Sequence, residues 1–272
     1  VTSTLADANA AIAALWPLGE AESWDAPGLL SGDPAAGVSR IHLAVDAVLD
    51  TVDEAIAAGA QLLVVHHPLL LRGVTSVAED RAKGAIVARL IRAGCALVAA
   101  HTNADIVARG TSAVLADRLG MPAATPIVPS ADPALGLGRV GRLPEPTTLG
   151  ALARTLADLL PATASGVRVA GEYDRVIETV ALCAGAGDSL LAHPQVVASD
   201  VYITSDLRHH PASEAVENAR VGGGPALIDV SHWASEWLWL DVAAEQLRAA
   251  LPGVDVTVSE LRTDPWDFAI LQ

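Results

Sequence analysis

Leu62-Leu63-Val64-Val65-His66-His67-Pro68 is a run of four apolar residues that ends abruptly in two imidazoles and a proline. A run this short and apolar on both sides of the pleat reads as a strand buried on both faces, the kind found in parallel sheets. Pro68 keeps His67 extended while ending the strand's hydrogen bonding, so the two imidazoles splay around the strand tip. The pattern recurs along the chain. An apolar run over 96–100 leads into His101-Thr102-Asn103-Ala104-Asp105, one over 201–203 runs toward Asp206-Leu207-Arg208-His209-His210-Pro211, and one over 226–230 precedes His232. Further strands are expected over 39–45, 167–170, 176–183 and 254–258. Helical stretches alternate with them: 7–15 stopped by Pro17, 51–58 ending at Gly59, 82–93 closed by Gly94, one capped by Thr111 or Ser112 and closed by Gly120, 149–160, 213–219, and a long last helix over 233–251. His101 to Asp105 reads as a loop, because Thr102 and Asn103 favour turns. The fold class is α/β.

The two halves rhyme. Each reads Arg, strand, helix, strand, His-His-Pro, helix, strand, His: Arg40, His66-His67-Pro68 and His101 in the first, Arg175, His209-His210-Pro211 and His232 in the second. An internal duplication of one α/β unit explains this, with a metal cleft expected between the two units. The Pro- and Gly-rich stretch over 121–146 reads as the crossing between them. We therefore expect a first α/β domain over 1–128 and a second over 129–272, with the segment 228–272 returning to the first.

The 272 residues carry 17 Lys and Arg against 32 Asp and Glu, a formal charge of −15. Such a balance argues against direct nucleic-acid binding, which needs a concentrated basic face. Hydrophobic residues at 51% exclude disorder by composition. No apolar run approaches the roughly 18–20 residues of a membrane span, and no Lys or Arg precedes Arg40, so neither membrane nor secretory leader is expected. Cys95 and Cys183 both sit in apolar runs and read as reduced core thiols, with a disulfide between them as the alternative. The expected compartment is the cytoplasm.

Six of the eight histidines follow apolar strands, and in open α/β sheets ligands bind at the carboxyl ends of strands. Taken alone, an adjacent histidine pair reads more simply as two satisfied side chains. His232 and Glu236 shift that balance, because four residues apart at a helix start they share one face. His101 and Asp105 repeat the spacing. Four such clusters favour metal binding, and mixed nitrogen and oxygen donors suit Zn, Fe, Mn or Co.

Trp24-Asp25, Gly28-Leu29, Gly32-Asp33, His66-His67-Pro68 and His101-Thr102-Asn103-Ala104-Asp105 appear in that order. They are followed by the run from Cys183 to Gly187, the stretch Thr204-Ser205-Asp206-Leu207-Arg208-His209-His210, His232 with Glu236, and Asp264-Pro265. In order and spacing this series resembles the Nif-three-like family of dinuclear-metal proteins, many of which carry the name GTP cyclohydrolase 1 type 2 homologue. The resemblance implies two divalent ions per subunit held by His66, His67, Asp105, His232 and Glu236, with His101 in or beside the ligand shell. It also implies that His209 and His210 line the same cleft as proton shuttles or substrate contacts, so that His101, His209 and His210 are the candidate catalytic residues. A toroidal homohexamer is implied as well. Ala26 and Ser205 depart from the Asn and Gly usual in the family.

Two functions follow as expectations. One is a metal-dependent hydrolase acting on a small molecule such as a purine nucleotide, GTP cyclohydrolase-like, with the two metals activating water. The other is a non-enzymatic metal-loaded scaffold, regulator or metal-handling protein. Gly185 and Gly187 can cradle a phosphate, although such a turn is more often only a tight turn. Trp233 and Trp237 share a helix face while Trp239 points elsewhere, so one of them is free to meet another subunit, unless all three are core.

Overall fold

Thr4 opens the first helix with a reciprocal cap, its hydroxyl accepting from the Asp7 amide while the Asp7 carboxylate accepts from the Thr4 amide. The structure, a computed structural model, describes residues 3–270. Helix α1 (Leu5–Leu15) buries Leu5, Ala8 and Ile12 along one stripe and ends at Trp16, before Pro17. Strands β1 (Gly28–Ser31) and β2 (Arg40–Ala44) follow, then α2 (Leu49–Ala57), β3 (Leu62–Val65), α3 (Ala82–Ala93) and β4 (Ala96–Ala99). Gly94 closes α3 in the left-handed conformation at φ +64°, which favours glycine. The chain continues through α4 (Thr102–Asp105), α5 (Thr111–Arg118) and β5 (Arg139–Thr148) into α6 (Leu149–Leu159), which the Thr148 hydroxyl caps. Next come β6 (Arg168–Ala170), β7 (Val176–Ala186), α7 (Pro194–Val197), β8 (Val201–Ser205), α8 (His209–Gly222) and β9 (Ala226–Val230). The last elements are α9 (His232–Trp237), α10 (Trp239–Ala250) and β10 (Asp255–Val258).

Two compact units result. The first takes the residues up to Ala104 together with Leu240–Thr263, and the second takes Asp105–Trp239 with the residues from Asp264 on. The first unit holds a five-stranded sheet of order β10-β2-β3-β4-β1, and the second a five-stranded sheet of order β6-β9-β8-β7-β5. In the first, β10, β2, β3 and β4 are parallel and β1 runs antiparallel to β4. In the second, β7, β8 and β9 are parallel, with β6 antiparallel to β9 and β5 antiparallel to β7. Every residue of β3, β4, β8 and β9 is buried, as expected for central parallel strands covered on both faces. In the first unit, Val52 and Ala55 of α2 and Ile86 and Leu90 of α3 pack against Leu63, Val65 and Leu97 of the sheet.

The order of elements repeats. The first unit reads α1-β1-β2-α2-β3-α3-β4 and the second α6-β6-β7-α7-β8-α8-β9, and in both sheets the short antiparallel strand pairs with the last parallel one. Thr4 and Thr148 cap helices of equal length, 11 residues each. Pro17 and Pro161 follow at the same distance. Duplication therefore holds, but the two His-His-Pro motifs do not correspond. His66 and His67 follow β3 directly, whereas β8 runs on to Ser205 and His209-His210-Pro211 opens α8 instead of a loop. Gln61 and Asp200 hold the same place in the ladders, each amide donating to the preceding parallel strand and each carbonyl accepting from Ala96 or Ala226, so the positions matching His66 and His67 are Ser205 and Asp206. His101 and His232 each lie two residues past their strands, but β9 is one residue longer than β4, so in register His101 matches Ser231, next to His232.

Other local expectations also change. The stretch 121–146 lies within the second unit, where it reaches into β5. His101-to-Asp105 is not a loop, because the Asn103 carboxamide accepts from the His101 amide and starts the single turn α4. Gly110, rather than Thr111 or Ser112, precedes α5, and both hydroxyls are used elsewhere: Thr111 donates to Asp105, and Ser112 accepts from the Ala184 amide. The last helix is two helices, separated at Leu238. Cys95 and Cys183 are buried free thiols, pushed up by burial to about 11 and about 12 respectively. Among the described residues no helix is long and apolar enough to cross a membrane.

Candidate metal centre

In the first unit, the carboxyl ends of three neighbouring parallel strands converge. Asp46 lies past β2, His66 and His67 past β3, and His101 past β4. The rings of His66 and His67 are 5.0 Å apart, those of His66 and His101 5.2 Å, and those of His67 and His101 5.6 Å. Each imidazole offers one ligand atom, and the three atoms lie within 4.8 Å of one another.

What holds these rings also decides which nitrogen faces the centre. His66 Nδ1 lies 2.8 Å from the Ala100 carbonyl oxygen, which has no proton, so Nδ1–H is the donor. His67 Nδ1 meets Asp46 Oδ1 at 2.7 Å, and His101 Nδ1 meets Asp25 Oδ1 at 2.8 Å. The neutral imidazoles then carry their lone pairs on Nε2. Asp25 is itself firmly held, accepting from the Ala26 amide at 2.7 Å, the Thr102 amide at 3.0 Å and the Thr102 hydroxyl. Burial opposes the Asp25 charge, but bonds from Thr102, His101 and Ala26 keep the carboxyl below its ordinary range. Thr263 donates to the other oxygen of Asp46.

In the second unit, Ser231 caps α9 and sets His232 and Glu236 on adjacent turns. His232 Nε2 and Glu236 Oε1 are 3.0 Å apart, with the Glu236 side chain only 4% exposed. His232 Nδ1 is held at 2.8 Å by Asp206 Oδ2. Asp206 takes a left-handed conformation at φ +57°, uncommon outside glycine, where the β8 strand ends. Burial disfavours a charged His232, yet Glu236 and Asp206 outweigh it and raise its pKa well above the ordinary imidazole value. Gly185, at φ +72°, leaves the space that this pair occupies, since a Cβ there would come within 2.3 Å of Glu236 Oε1 and 3.3 Å of His232 Nε2. Asp105 is held by the Thr111 hydroxyl, and the charges of Asp105 and Glu236 add to burial in raising the pKa of Cys183.

The structure thus brings His66, His67 and His101 together in one unit, and His232 and Glu236 together in the other, where Asp105 is held by Thr111. His209 and His210 are exposed at the start of α8, with their rings 5.1 Å apart edge to face. Gly187 is not an open cradle, because a Cβ there would meet Tyr202 Oη at 2.3 Å. Trp233 and Trp239 are spent inside the chain at 5% and 1% exposure. Sequence reading missed Asp46 and Asp206, although Asp46 stands two residues past its strand, as His67 and His101 do, and Asp206 stands directly past β8. The donors fit divalent ions: histidine Nε2 and carboxylate oxygen, with each histidine's Nδ1 tied to a carbonyl or carboxylate, the arrangement that orients imidazole ligands. The family model for Duf34/NIF3 (NGG1p interacting factor 3) matches residues 3–265. The chain belongs to the Duf34/NIF3 family.

Relatives of this Duf34/NIF3 chain extend along nearly all of it. A Streptomyces coelicolor protein named GTP cyclohydrolase 1 type 2 homolog is 48% identical, over 96% of this chain and 93% of its own. A Mycobacterium bovis protein of the same name is 35% identical, covering 97% of each chain. Its alignment spans 377 positions, more than this chain has, so that relative carries residues this one lacks. Among solved structures, a Bacillus cereus protein related to NIF3 superimposes with a TM-score of 0.89 at 21% identity, over 99% of this chain and 100% of the other. A Staphylococcus aureus hypothetical protein gives 0.88 at 26% identity, over 99% and 100%.

Proposed function

We propose that this chain is a dinuclear metal-dependent hydrolase of a small molecule, with His66, His67, Asp105, His232 and Glu236 as ligands for two divalent ions and His101 in or beside that shell. The observation that carries this reading is the shared fixing of four imidazoles. His66, His67, His101 and His232 each give Nδ1 to a carbonyl or a carboxylate, which sets the ring orientation and turns Nε2 away from that anchor, and Nε2 of His232 lies beside Glu236 Oε1. Such ions, when bound, supply Lewis acidity and activation of water. Asp46, Asp25 and Asp206 orient the rings. Glu236, buried on its helix, keeps its carboxylate close to His232. His101, tied to Asp25, and the exposed pair His209 and His210 are the groups available to move protons. The relatives' name supports a GTP cyclohydrolase-like substrate. We place the assembly as a toroidal homohexamer, and the two buried free thiols support a cytoplasmic location.

The test is elemental analysis of purified protein with a turnover screen of GTP and other hydrolysable nucleotides. Two ions per subunit in the wild type, fewer in His67→Ala and Glu236→Ala, and turnover lost with them are the expected results. Full loading of both variants overturns the ligand assignment. Two ions with no turnover at any loading overturns the hydrolase in favour of a metal-loaded scaffold. Light scattering checks the hexamer, and a monomer at micromolar concentration refutes it.

A further inference from the structure

Two of the six tryptophans stand mostly in water among the described residues, Trp24 at 60% and Trp266 at 65% exposure. Trp24 belongs to the first unit, where its ring lies 5.9 Å from that of His101 at an interplanar angle of 80°. Leaving an indole in water forgoes the burial that such a large apolar ring ordinarily gains. A mobile loop would fold the ring down onto the protein, but this one is pinned. The next residue, Asp25, spends its carboxylate on Ala26, His101 and Thr102. The Asp25 amide donates to the Glu22 carbonyl at 2.9 Å, and the Glu22 amide donates to the Thr102 hydroxyl at 3.0 Å. The hydrogen bonds that orient His101 therefore also fix the backbone that presents Trp24.

We propose that Trp24 is a stacking platform that recognises a planar nitrogen heterocycle of the substrate beside His101; this rests on the metal-centre reading above and names the substrate class for it. An aromatic face accepts any flat π-ring, because every base presents a π-face for stacking. Its chain neighbours Glu22 and Ser23 are exposed and polar, so along this stretch of chain the indole is flanked by polar side chains. That suits one small ring better than the broad apolar patch a protein partner needs. The edge-type contact with His101 leaves most of the residue open, and a ring seated on it is held next to one of the fixed imidazoles.

The experiment is calorimetric titration of metal-loaded protein with guanosine monophosphate, and with ribose 5-phosphate as the control that lacks the ring. The wild type is expected to bind the nucleotide more tightly than the sugar phosphate. Trp24→Ala should weaken nucleotide binding by roughly ten-fold or more while leaving the sugar phosphate unchanged, and Trp24→Phe should retain most of the affinity. Metal content and oligomeric state, measured on the same samples, should match the wild type. Equal nucleotide affinity in Trp24→Ala overturns the proposal, as does a wild type that loads metal but does not distinguish nucleotide from sugar phosphate; either result leaves the metal centre standing. A Trp24→Ala protein that changes its oligomeric state assigns the ring to a subunit interface and also overturns the proposal. Loss of metal in the wild type itself is the separate failure of the metal reading.

Discussion

Replacing Gly185 with alanine tests whether the space beside Glu236 is reserved for ligand geometry. Two effects separate cleanly. The backbone at φ +72° is left-handed, and an L-residue there costs about 1–2 kcal/mol. The second effect is local: the new Cβ would lie 2.3 Å from Glu236 Oε1. Gly185 cannot easily retreat, because its amide donates to Ser235 Oγ at 3.0 Å and its carbonyl accepts from Thr204 Oγ1 at 3.0 Å. The carboxylate must move instead, by roughly 1 Å to regain an ordinary contact distance. Ligand positions tolerate about 0.2 Å. Gly185→Ala should therefore fold, with a metal-free melting temperature lower by a few degrees, and bind zinc or manganese at least about ten-fold more weakly in a chelator competition. Serine should behave as alanine does. A folded Gly185→Ala protein with unchanged metal affinity refutes the reasoning.

Asp46→Asn removes the charge that orients His67, so metal affinity should fall about 10–100-fold with little change in the circular dichroism spectrum; unchanged affinity in the same chelator competition removes Asp46 from the centre. Asp200 accepts from the Glu178 amide at 2.9 Å, the Thr179 amide at 2.8 Å and the Thr179 hydroxyl at 2.8 Å. Burial pulls its pKa upward, but these bonds and Arg175 hold the carboxyl below its ordinary value. A depressed folded pKa gives stability that is present above the unfolded value of about 4 and lost as pH falls through the folded one. Asp200→Asn should thus cost about 1–2 kcal/mol in urea unfolding at pH 7 and less at pH 3; an equal deficit at both assigns the loss to packing. The thiols of Cys95 and Cys183, pushed up to about 11 and about 12, should resist iodoacetamide at pH 8 until the protein unfolds. Rapid labelling of native protein contradicts that burial.

Apolar runs bounded by Gly, Pro or His were readable because strand burial and helix stops are local. Leu62–Val65, Ala82–Ala93 and Ala226–Val230 emerge with the bounds expected from sequence. Of the antiparallel strands, β6 was expected over 167–170, but β1 and β5 were not readable, because they carry glycine or proline and polar residues and owe their extension to pairing with β4 and β7. Helix α8 begins at His209, four residues before the expected 213, and Pro211 falls in its first turn, where a missing amide costs nothing. The site divided in the same way. Histidines at strand ends stand out by residue type, whereas Asp46 and Asp206 look like ordinary turn carboxylates until the strands align them with the rings they hold.

The duplication explains why motif matching misled where the strand ends have diverged. Aligned by their strands, the two units put His101 and His232 at neighbouring positions, and both rings are held through Nδ1 by a carboxylate, Asp25 in one and Asp206 in the other. At the other strand tip the units have diverged. The first unit has His66 and His67 after β3, and the second has Ser205 and Asp206 in the matching places of β8. The carboxylate of Asp206 thus occupies a position that carries an imidazole in the first copy, and it serves to orient His232. The second unit has its own acidic donor in Glu236, made possible by the missing side chain at Gly185. One ancestral strand-end geometry has accordingly been specialised in opposite directions, toward three imidazoles in the first unit and toward an imidazole–carboxylate pair in the second. A search for identical motifs pairs His66-His67-Pro68 with His209-His210-Pro211, while the backbone pairs positions whose side chains have changed role.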